Sequence, residues 1–239
     1  MPDTLVICSG GLDSVTLAHV LASEGSLSGL ISFDYGQRHK KELESAKACA
    51  ERLGTRHDVL DIRPIGAALS GSALTDDIPV PDGHYAEESM KITVVPNRNA
   101  IMLSIAYGIA SARGASAVAA AFHGGDHYIY PDCRPGFTQA FEHMQNKALE
   151  GLSSITLLTP FLNMNKADIV RLGAQHNVPF ETSWSCYKGG TLHCGRCGTC
   201  VERREAFDLA RISDPTPYMD HDFWIKAVAD KTSAERRSA

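Results

Sequence analysis

The architecture of this 239-residue chain follows from six residues near its start, Ser9-Gly10-Gly11-Leu12-Asp13-Ser14. An apolar stretch at residues 4–8 precedes them and is typical of a buried strand, and residues 15–21 after them are typical of a helix. A strand, a turn with two glycines and a helix N-terminus bring backbone N–H groups and the positive end of the helix dipole to one point. This arrangement predicts an anion site. An ordinary βα turn is the alternative, because such turns also favour Ser, Gly and Asp, and the chain has no Walker sequence.

The hexapeptide resembles the PP-loop of the ATP pyrophosphatases, a superfamily that includes argininosuccinate, GMP and NAD synthetases and tRNA-modifying enzymes. The resemblance implies that the loop holds the pyrophosphate of ATP, with Mg²⁺, and that the enzyme cleaves ATP between the α- and β-phosphates and adenylates its substrate. It places the ATP site on the loop and its flanks, namely Cys8, Ser9, Gly10, Gly11, Leu12, Asp13, Ser14, Val15, Thr16, Leu17 and Ala18. The loop alone does not choose among the members of the superfamily.

The composition is that of an ordinary globular protein with an acidic balance. Hydrophobic residues make up 44% and charged residues 21% of the sequence, and the formal net charge is −5. This balance does not favour a nucleic-acid backbone, so we expect small-molecule partners and no nucleic acid. Apolar runs of about 18 residues and a basic N-terminal region are both missing from the sequence, so we expect neither a membrane span nor a signal peptide. The expected compartment is the cytoplasm, and a homodimer is compatible with the sequence.

Strand-like and helix-like patterns alternate along the chain. Strands are predicted at residues 4–8, 27–33, 57–62, 117–122 and 155–158, and helices at residues 15–21, 40–53, 101–113, 137–152 and 166–176. This alternation predicts an α/β fold with a mostly parallel, doubly wound sheet. The resemblance of the hexapeptide implies that this fold is similar to the PP-loop and adenine nucleotide α-hydrolase folds. Residues 70–97 are predicted as a long loop over the active site, and residues 230–239 as a frayed polar end. We divide the chain into an ATP-binding domain at 1–178, a four-cysteine zinc-binding segment with the following helix at 179–212, and a C-terminal tail at 213–239.

Polar residues follow the predicted strands at the points where these strands end. The second strand leads into residues 34–39, the fourth into residues 123–126 and 130–134, and Lys166 opens the helix after the fifth. Carboxyl ends of parallel strands meet at one edge of a sheet, where ligands bind. Catalytic or substrate-binding candidates on these loops are Arg38, Asp126, Tyr130, Asp132, Arg134 and Lys166. Each has a structural alternative: Arg38, for example, would start a solvated helix, and Asp132 would cap a turn.

Four of the seven cysteines are crowded into one short segment: Cys186, Cys194, Cys197 and Cys200. In a reducing compartment such crowding indicates a metal rather than disulfides. Four thiolates suit tetrahedral Zn²⁺, and a complete ligand shell leaves no position for water, so we predict one structural zinc ion per chain. An iron–sulfur cluster is the competing metal, and unligated thiols are a third alternative.

Six segments in a fixed order make the resemblance more specific. They are Ser9 to Ser14 and residues 34–38, 95–99, 130–134, 185–187 and 194–197. Together they are similar to the 7-cyano-7-deazaguanine synthase family, the queuosine-pathway ligases among the PP-loop enzymes, over residues 5–207. The sequence departs from the family pattern at Asn97 and in the lead-in His123-Gly124-Gly125 to Asp126, and neither departure touches a phosphate or metal position.

The resemblance implies that ATP and ammonia convert the carboxylate of 7-carboxy-7-deazaguanine into a nitrile. Adenylation makes an oxygen a good leaving group, first so that ammonia forms an amide, and then so that the amide loses its oxygen. The loop N–H groups, Mg²⁺, Lys166 and Arg98 would stabilise the developing charge. Asp126 and Asp132 would read the guanine-like edge or hold Mg²⁺, with Asp126 and residues 130–134 on the deazapurine side. We find no glutaminase signature, so free ammonia is the expected nitrogen source.

Three other functions stay open at this point. A tRNA-thiolating PP-loop enzyme would carry sulfur on a cysteine such as Cys133, although the acidic balance speaks against RNA binding. A non-enzymatic binding module would use the four-cysteine segment for recognition. A synthase-like enzyme would attach a deazaguanine to another protein.

Overall fold

The computed structural model of the chain describes residues 3–38 and 40–238, with side chains up to residue 233. His39, in the loop after the second predicted strand, lies outside the described residues. The strands are β1 (Thr4–Ile7), β2 (Leu27–Asp34), β3 (His57–Asp61), β4 (Ala117–Ala119) and β5 (Thr156–Leu158). The helices are α1 (Leu12–Ser23), α2 (Lys41–Leu53), α3 (Arg63–Ala68), α4 (Arg98–Arg113), α5 (Pro135–Ala148), α6 (Lys166–Gln175), α7 (Gly198–Ala210) and α8 (Phe223–Ser238).

The five strands form one parallel sheet in the order β3-β2-β1-β4-β5. The predicted α/β class with a doubly wound parallel sheet is therefore confirmed. Neighbouring side chains of the central strand β1 point to opposite faces of the sheet. Leu5 packs into a cluster with Phe141 of α5, whereas Val6 packs into a cluster with Ile169 of α6. Helices cover both faces, which explains why Leu5, Val6 and Ile7 follow one another in β1 as an unbroken apolar run.

The strand order reverses at β1, and this reversal positions the site. From β1 the chain moves outward to β2 and β3, and it then returns to add β4 and β5 on the other side. The loops after β1 and β4 consequently leave the carboxyl edge of the sheet on either side of a crevice. The first of these loops is the Ser9–Ser14 hexapeptide, and the second carries His123 and Asp126.

The long loop at residues 70–97 is present as predicted, with one 3-10 helix, Glu88–Thr93, inside it. Helix α3 was not predicted, because Pro64 and Gly66 within it are poor helix formers. Gly66 is required there for another reason: a Cβ atom at this position would lie 1.8 Å from the carbonyl oxygen of Tyr35.

The prediction of a frayed end at residues 230–239 was wrong for residues 230–238, which belong to α8; residue 239 lies outside the described residues. The sequence of α8 is mostly polar, so it does not predict the packing contacts that this helix makes. Ala227 is buried, and the Arg196 and Arg204 guanidinium groups stack on the rings of Phe223 and Trp224 at 4.4 and 5.4 Å. Within the described part of the chain, no helix combines the length and the apolar character needed to cross a bilayer.

Candidate active site

A cleft at the carboxyl edge of the sheet consists of two adjoining chambers. They share seven lining residues: Ser9, Gly11, Asp13, Glu42, Asp126, Tyr130 and Tyr187. The strand-side chamber is completed by strand ends and α4, including Phe33 and Met102. The cysteine-side chamber is completed by the long loop and the cysteine-rich segment, including Tyr85 and Thr199. The cleft therefore offers space for two ligands that meet beside the hexapeptide.

The hexapeptide folds as a tight turn whose first glycine is indispensable. Gly10 has a φ of +85°, and a Cβ atom there would lie 1.9 Å from the Glu42 carbonyl oxygen of α2. The Ser14 hydroxyl donates to the Gly11 carbonyl at 3.1 Å and lies 3.2 Å from the Ser9 hydroxyl. No side chain caps the N-terminus of α1, so its first N–H groups face the cleft without a side-chain partner. This is the geometry of an anion site at a helix start.

The eleven residues predicted for the ATP site divide into two groups. The residues that line the cleft are Cys8, Ser9, Gly11, Leu12, Asp13 and Ser14, and Gly10 forms the turn between them. Val15, Thr16, Leu17 and Ala18 are buried inside α1 and line neither chamber. Their side chains support the helix rather than face a ligand.

Five charged or titratable side chains from four parts of the chain meet beside the hexapeptide, where Asp13 and Asp126 line both chambers. The Lys166 ammonium lies 3.2 Å from Asp13 Oδ2 and forms a short hydrogen bond to Glu202 Oε2. The His123 Nε2 atom lies 3.5 Å from Asp126 Oδ1 and 3.8 Å from both Asp13 Oδ2 and Glu202 Oε1. One lysine and one histidine are thus surrounded by three carboxylates, an arrangement suited to binding cations and polarised phosphate groups.

The orientation of His123 and the charge of Lys166 follow from their surroundings. The His123 Nδ1 atom accepts a hydrogen bond from the Gly125 N–H at 3.0 Å, so a neutral His123 carries its proton on Nε2 and presents it to the carboxylates. Burial disfavours the Lys166 ammonium, but the Asp13 and Glu202 carboxylates outweigh it, so the pKa of Lys166 lies above its usual value. Lys166 is therefore a permanent cation in the cleft.

Arg98 and three tyrosines line the deeper part of the cleft. The Arg98 guanidinium donates to the Tyr35 hydroxyl at 3.3 Å, and the Tyr130 hydroxyl lies 3.0 Å from the Thr93 hydroxyl. Glu42 faces this group; burial raises its pKa to about 7 against the opposing effects of Arg98 and of a hydrogen bond from Gln37. The chamber wall here combines a fixed cation with hydroxyl groups and with a carboxyl group that titrates near neutrality.

Three of the predicted substrate residues line neither chamber. Arg38 binds the Ile78 carbonyl at 2.8 Å and Asp77 at 3.3 Å, and so fastens the long loop. Asp132 accepts from the Asn99 backbone N–H at 3.1 Å and from its side chain at 3.2 Å, at the start of α4. Arg134 is exposed and donates to the His127 carbonyl. By contrast, Arg98, Asp126, Tyr130 and Lys166 all line the cleft.

The four crowded cysteines converge as predicted. The Sγ atoms of Cys186, Cys194, Cys197 and Cys200 all lie within 4.8 Å of one another, and the Cys194–Cys200 Sγ distance is 3.9 Å. Four sulfurs at about 2.3 Å from a central zinc ion would be about 3.8 Å apart, so the cluster has the size of a tetrahedral site. Backbone N–H groups of residues 196 and 197 donate to Cys194 Sγ at 3.3 Å, which stabilises a thiolate. The group could hold a metal ion such as zinc.

The cysteine cluster also builds one wall of the active-site cleft. Cys186 lies between Ser185 and Tyr187, which both line the cysteine-side chamber, and Gly198 and Thr199 of the same wall lie between Cys197 and Cys200. The Thr199 hydroxyl donates to the Ser185 carbonyl at 2.6 Å and so joins the two halves of the wall. Residues 82 and 197 form an antiparallel bridge that attaches the long loop to the same segment. The metal site and the cleft therefore share their backbone.

Cys133 lines the strand-side chamber, but its environment does not favour a sulfur-carrying thiolate. Its side chain is buried, and its Sγ atom accepts from the Asn99 side chain at 3.2 Å. Burial, together with Asp126 and Asp132, raises the pKa of this thiol, whereas sulfur transfer needs an accessible thiolate.

Sequence reasoning missed several polar residues of the site, among them Glu42, Tyr187 and Glu202, which line the cleft, and His123, which lies beneath it. Glu42 and Glu202 lie on amphipathic helices, where a glutamate is indistinguishable from a solvated one until the partner helix is known. The other two residues could have been predicted from their positions in the sequence. His123 directly follows the fourth predicted strand, and Tyr187 directly follows a predicted metal ligand.

A model of the family described as queuosine biosynthesis protein QueC matches residues 3–211 of the chain. The chain belongs to the QueC family. Curated relatives agree with this assignment: the chain is 67% identical to a 7-cyano-7-deazaguanine synthase of Sinorhizobium fredii, covering 97% of this chain and 98% of that protein. It is 68% identical to the enzyme of that name from Brucella anthropi, covering 96% and 99%. It is 70% identical to the one from Ruegeria pomeroyi, covering 94% and 98%.

Membership of the QueC family confirms the resemblance drawn from the six sequence segments. The family match ends at residue 211, one residue beyond α7, so it includes the whole cleft and all four cysteines. It leaves out residues 212–239, which include α8.

Proposed function

We propose that this chain is a 7-cyano-7-deazaguanine synthase, which converts 7-carboxy-7-deazaguanine, ammonia and ATP into the nitrile in queuosine biosynthesis. The observation that supports this most directly is the two-chambered cleft, in which the hexapeptide stands between the chambers and the Lys166 cation lines the cysteine-side chamber. A ligase that adenylates its substrate needs two ligand spaces that meet at the α-phosphate of ATP. The family and its curated relatives supply the substrate class.

The N-terminus of α1 would receive the phosphates, with Ser9, Gly11 and Ser14 as hydrogen-bonding groups. The apolar lining of the strand-side chamber, including Phe33 and Met102, suits the adenosine part of ATP. The acceptor would then occupy the cysteine-side chamber, with Asp126 and Tyr130 between the two ligands. Asp126 and Glu42 are the carboxylates placed to accept from the N–H groups of a guanine-like ring.

The chemistry follows from the poor reactivity of a carboxylate. Its oxygen attacks the α-phosphorus of ATP, pyrophosphate leaves, and the new acyl phosphate carries AMP as a good leaving group. Lys166, held beside Asp13, and Arg98, deeper in the cleft, are fixed donors for the negative charge that develops on the phosphate and carbonyl oxygens. A second adenylation at the amide oxygen, in the same cleft, would leave the nitrile.

Magnesium fits this site through Asp13. Its Oδ1 atom is buried without a hydrogen-bond partner, which is an unusual state for a carboxylate oxygen and one that a hard cation would satisfy. Asp13 would hold the ion from the first turn of α1. When bound, Mg²⁺ would neutralise phosphate charge.

The four cysteines would hold one structural zinc ion per chain. A complete thiolate shell has no open position, so the ion would stabilise the wall of the cleft rather than take part in the reaction. The reduced, metal-ready thiols fit a cytoplasmic enzyme.

The decisive experiment combines the purified protein with 7-carboxy-7-deazaguanine, ATP, Mg²⁺ and ammonium chloride, and identifies the products by mass spectrometry. We expect the nitrile, AMP and pyrophosphate, with the amide as an intermediate. Turnover of ATP without modification of this acceptor would overturn the assignment.

A further inference from the structure

A separate cavity lies on the far side of the Lys166–Glu202 ion pair from the cleft. It opens between α6 and α7, and Tyr85, Lys166 and Glu202 line both this side cavity and the cysteine-side chamber. Glu205 and Leu209 of α7 line only the side cavity. Three side chains thus stand between the protein surface and the acceptor end of the cleft.

We infer that this side cavity is the entrance through which ammonium reaches the activated acceptor. The inference rests on the proposed function. During the reaction ATP and the deazapurine fill the two chambers, so a third reactant that enters by the same mouth is obstructed by both. A side entrance beside Lys166 lets a small nucleophile arrive while the two larger ligands stay in place.

The charges around the side cavity suit a small cation. Lys166 is already bound by Asp13 and Glu202, and Arg171 is bound by Asp168 at 2.8 Å. Glu205 has no lysine or arginine partner among the described residues; its contact is with His84 Nε2 at 3.2 Å. Its carboxylate is therefore available to attract ammonium, the predominant form of ammonia at neutral pH.

Tyr85 stands between the two carboxylates at the inner end of the cavity. Its ring stacks on His84 with centroids 4.2 Å apart. Burial raises the pKa of Tyr85, and the negative charges of Glu202 and Glu205 raise it further, so the hydroxyl stays protonated. Because Tyr85 lines both cavities and its hydroxyl is neutral, it places no further charge in the path of ammonia from one cavity to the other.

Ammonium that enters here reacts at the acyl carbon of the adenylated acceptor. Ammonium loses one proton, the nitrogen lone pair forms a bond to the acyl carbon, and the bond from that carbon to the AMP oxygen breaks with its electron pair on AMP. The nitrogen then loses a second proton, so each amide formed from ammonium releases two protons. Water at the mouth of the side cavity receives them.

Two variants test the entrance. Leu209 is 58% exposed at the mouth, so Leu209→Trp would obstruct it without entering the core. Glu205→Gln removes the charge and keeps an oxygen that accepts from His84. The matched control is Leu152→Trp, at a leucine that is 80% exposed and lines none of the cavities described above.

The readouts separate the two halves of the reaction. ATP–pyrophosphate exchange with 7-carboxy-7-deazaguanine, measured without ammonium, reports adenylation alone. Amide formation is then measured against ammonium chloride at constant ionic strength. In Leu209→Trp and Glu205→Gln we expect exchange within about twofold of wild type and an apparent KM for ammonium raised by roughly tenfold. Leu152→Trp is expected to match wild type in both.

An unchanged KM for ammonium in both variants would overturn the proposal that ammonium enters through the side cavity. So would an equal loss of exchange and amide formation, because the side cavity would then belong to the ATP or acceptor site. Absence of exchange in the wild-type protein is a different result: it refutes the proposed function, and the entrance falls with it.

Discussion

The ammonium nitrogen of Lys166 lies 3.2 Å from Asp13 Oδ2, and this contact joins the first turns of α6 and α1 across the cleft. Both helices begin at the carboxyl edge of the sheet, where their dipoles favour negative charge. Lys166 occupies one oxygen of Asp13 and leaves the buried Oδ1 atom without a partner. The pair therefore holds a carboxylate ready for a cation at the place where phosphates would bind.

Replacing Asp13 by asparagine tests this arrangement. The Asp13→Asn variant keeps the shape of the side chain but removes its charge, so we expect pyrophosphate exchange to fall by about 10²–10³-fold with the fold retained. Circular dichroism checks the fold, and Asp208→Asn, at an exposed position of α7, serves as the control. A pyrophosphate exchange rate close to that of wild type in Asp13→Asn would show that this residue has no role in binding phosphate or magnesium.

The cysteine cluster should determine metal content and stability together. Cys200→Ala leaves three ligands, so we expect zinc to fall well below one ion per chain and the Tm to fall by about 10 °C or more, because metal binding is coupled to folding of this segment. Elemental analysis and calorimetry measure the two effects. Cys49→Ala, outside the cluster, should leave the zinc content unchanged. Iron with visible absorbance in anaerobically purified wild-type protein would contradict the zinc assignment.

Asp132 should matter for stability more than for affinity. Its carboxylate accepts both N–H groups of Asn99 at the start of α4 and lines neither chamber. In Asp132→Asn, we expect a loss of about 1 kcal/mol in the free energy of unfolding, typical of a lost helix cap, and less than threefold change in the affinity for ATP or the deazapurine. Chemical denaturation and calorimetric titration provide the numbers. A tenfold weaker affinity for the deazapurine, with an unchanged free energy of unfolding, would instead show that Asp132 belongs to the acceptor site, as the sequence analysis predicts.

Glu42 predicts a pH dependence of stability. Burial raises its pKa to about 7 from the usual 4.5, so the folded protein holds this proton over a pH range in which the unfolded chain releases it. The free energy of unfolding should therefore fall as the pH rises from about 4.5 to 7, by an amount on the order of 1–3 kcal/mol.

The matching variant is Glu42→Gln, which has no proton to lose. Denaturation at pH 5 and pH 8 should show it gaining stability over wild type at the higher pH, with little gain at the lower. Glu44→Gln, an exposed position on the same helix, is the control. Equal differences at both pH values would show that Glu42 titrates normally.

Local chemistry made much of the site predictable. Gly10 and the serines around it predict a phosphate-binding turn, and the spacing of the cysteines predicts a metal site. Both predictions are possible because each kind of site is built from residues close in sequence. Lys166 and Asp126 were found by a general rule, since each follows a strand of a parallel sheet.

The remaining residues depend on contacts that no sequence pattern reveals. Glu202 reaches Lys166 only because α6 and α7 pack side by side, and Glu42 enters the cleft only because Gly10 lets α2 approach the loop. Arg38 shows the opposite error: it follows a strand, yet it turns away to fasten residues 77 and 78. Strand ends indicate the neighbourhood of a side chain but not its direction.

The cleft draws on residues from Ser9 at one end of the chain to Glu202 near the other, and its closing wall is the cysteine-rich segment. During synthesis the strands and helices around the phosphate turn emerge before the acceptor wall does. A growing or truncated chain that ends before α7 thus lacks Glu202, one of the two carboxylates that hold Lys166. The order of the elements along the chain therefore makes the acceptor wall the last part of the cleft to be synthesised, and the complete cleft exists only after Glu202 has been added.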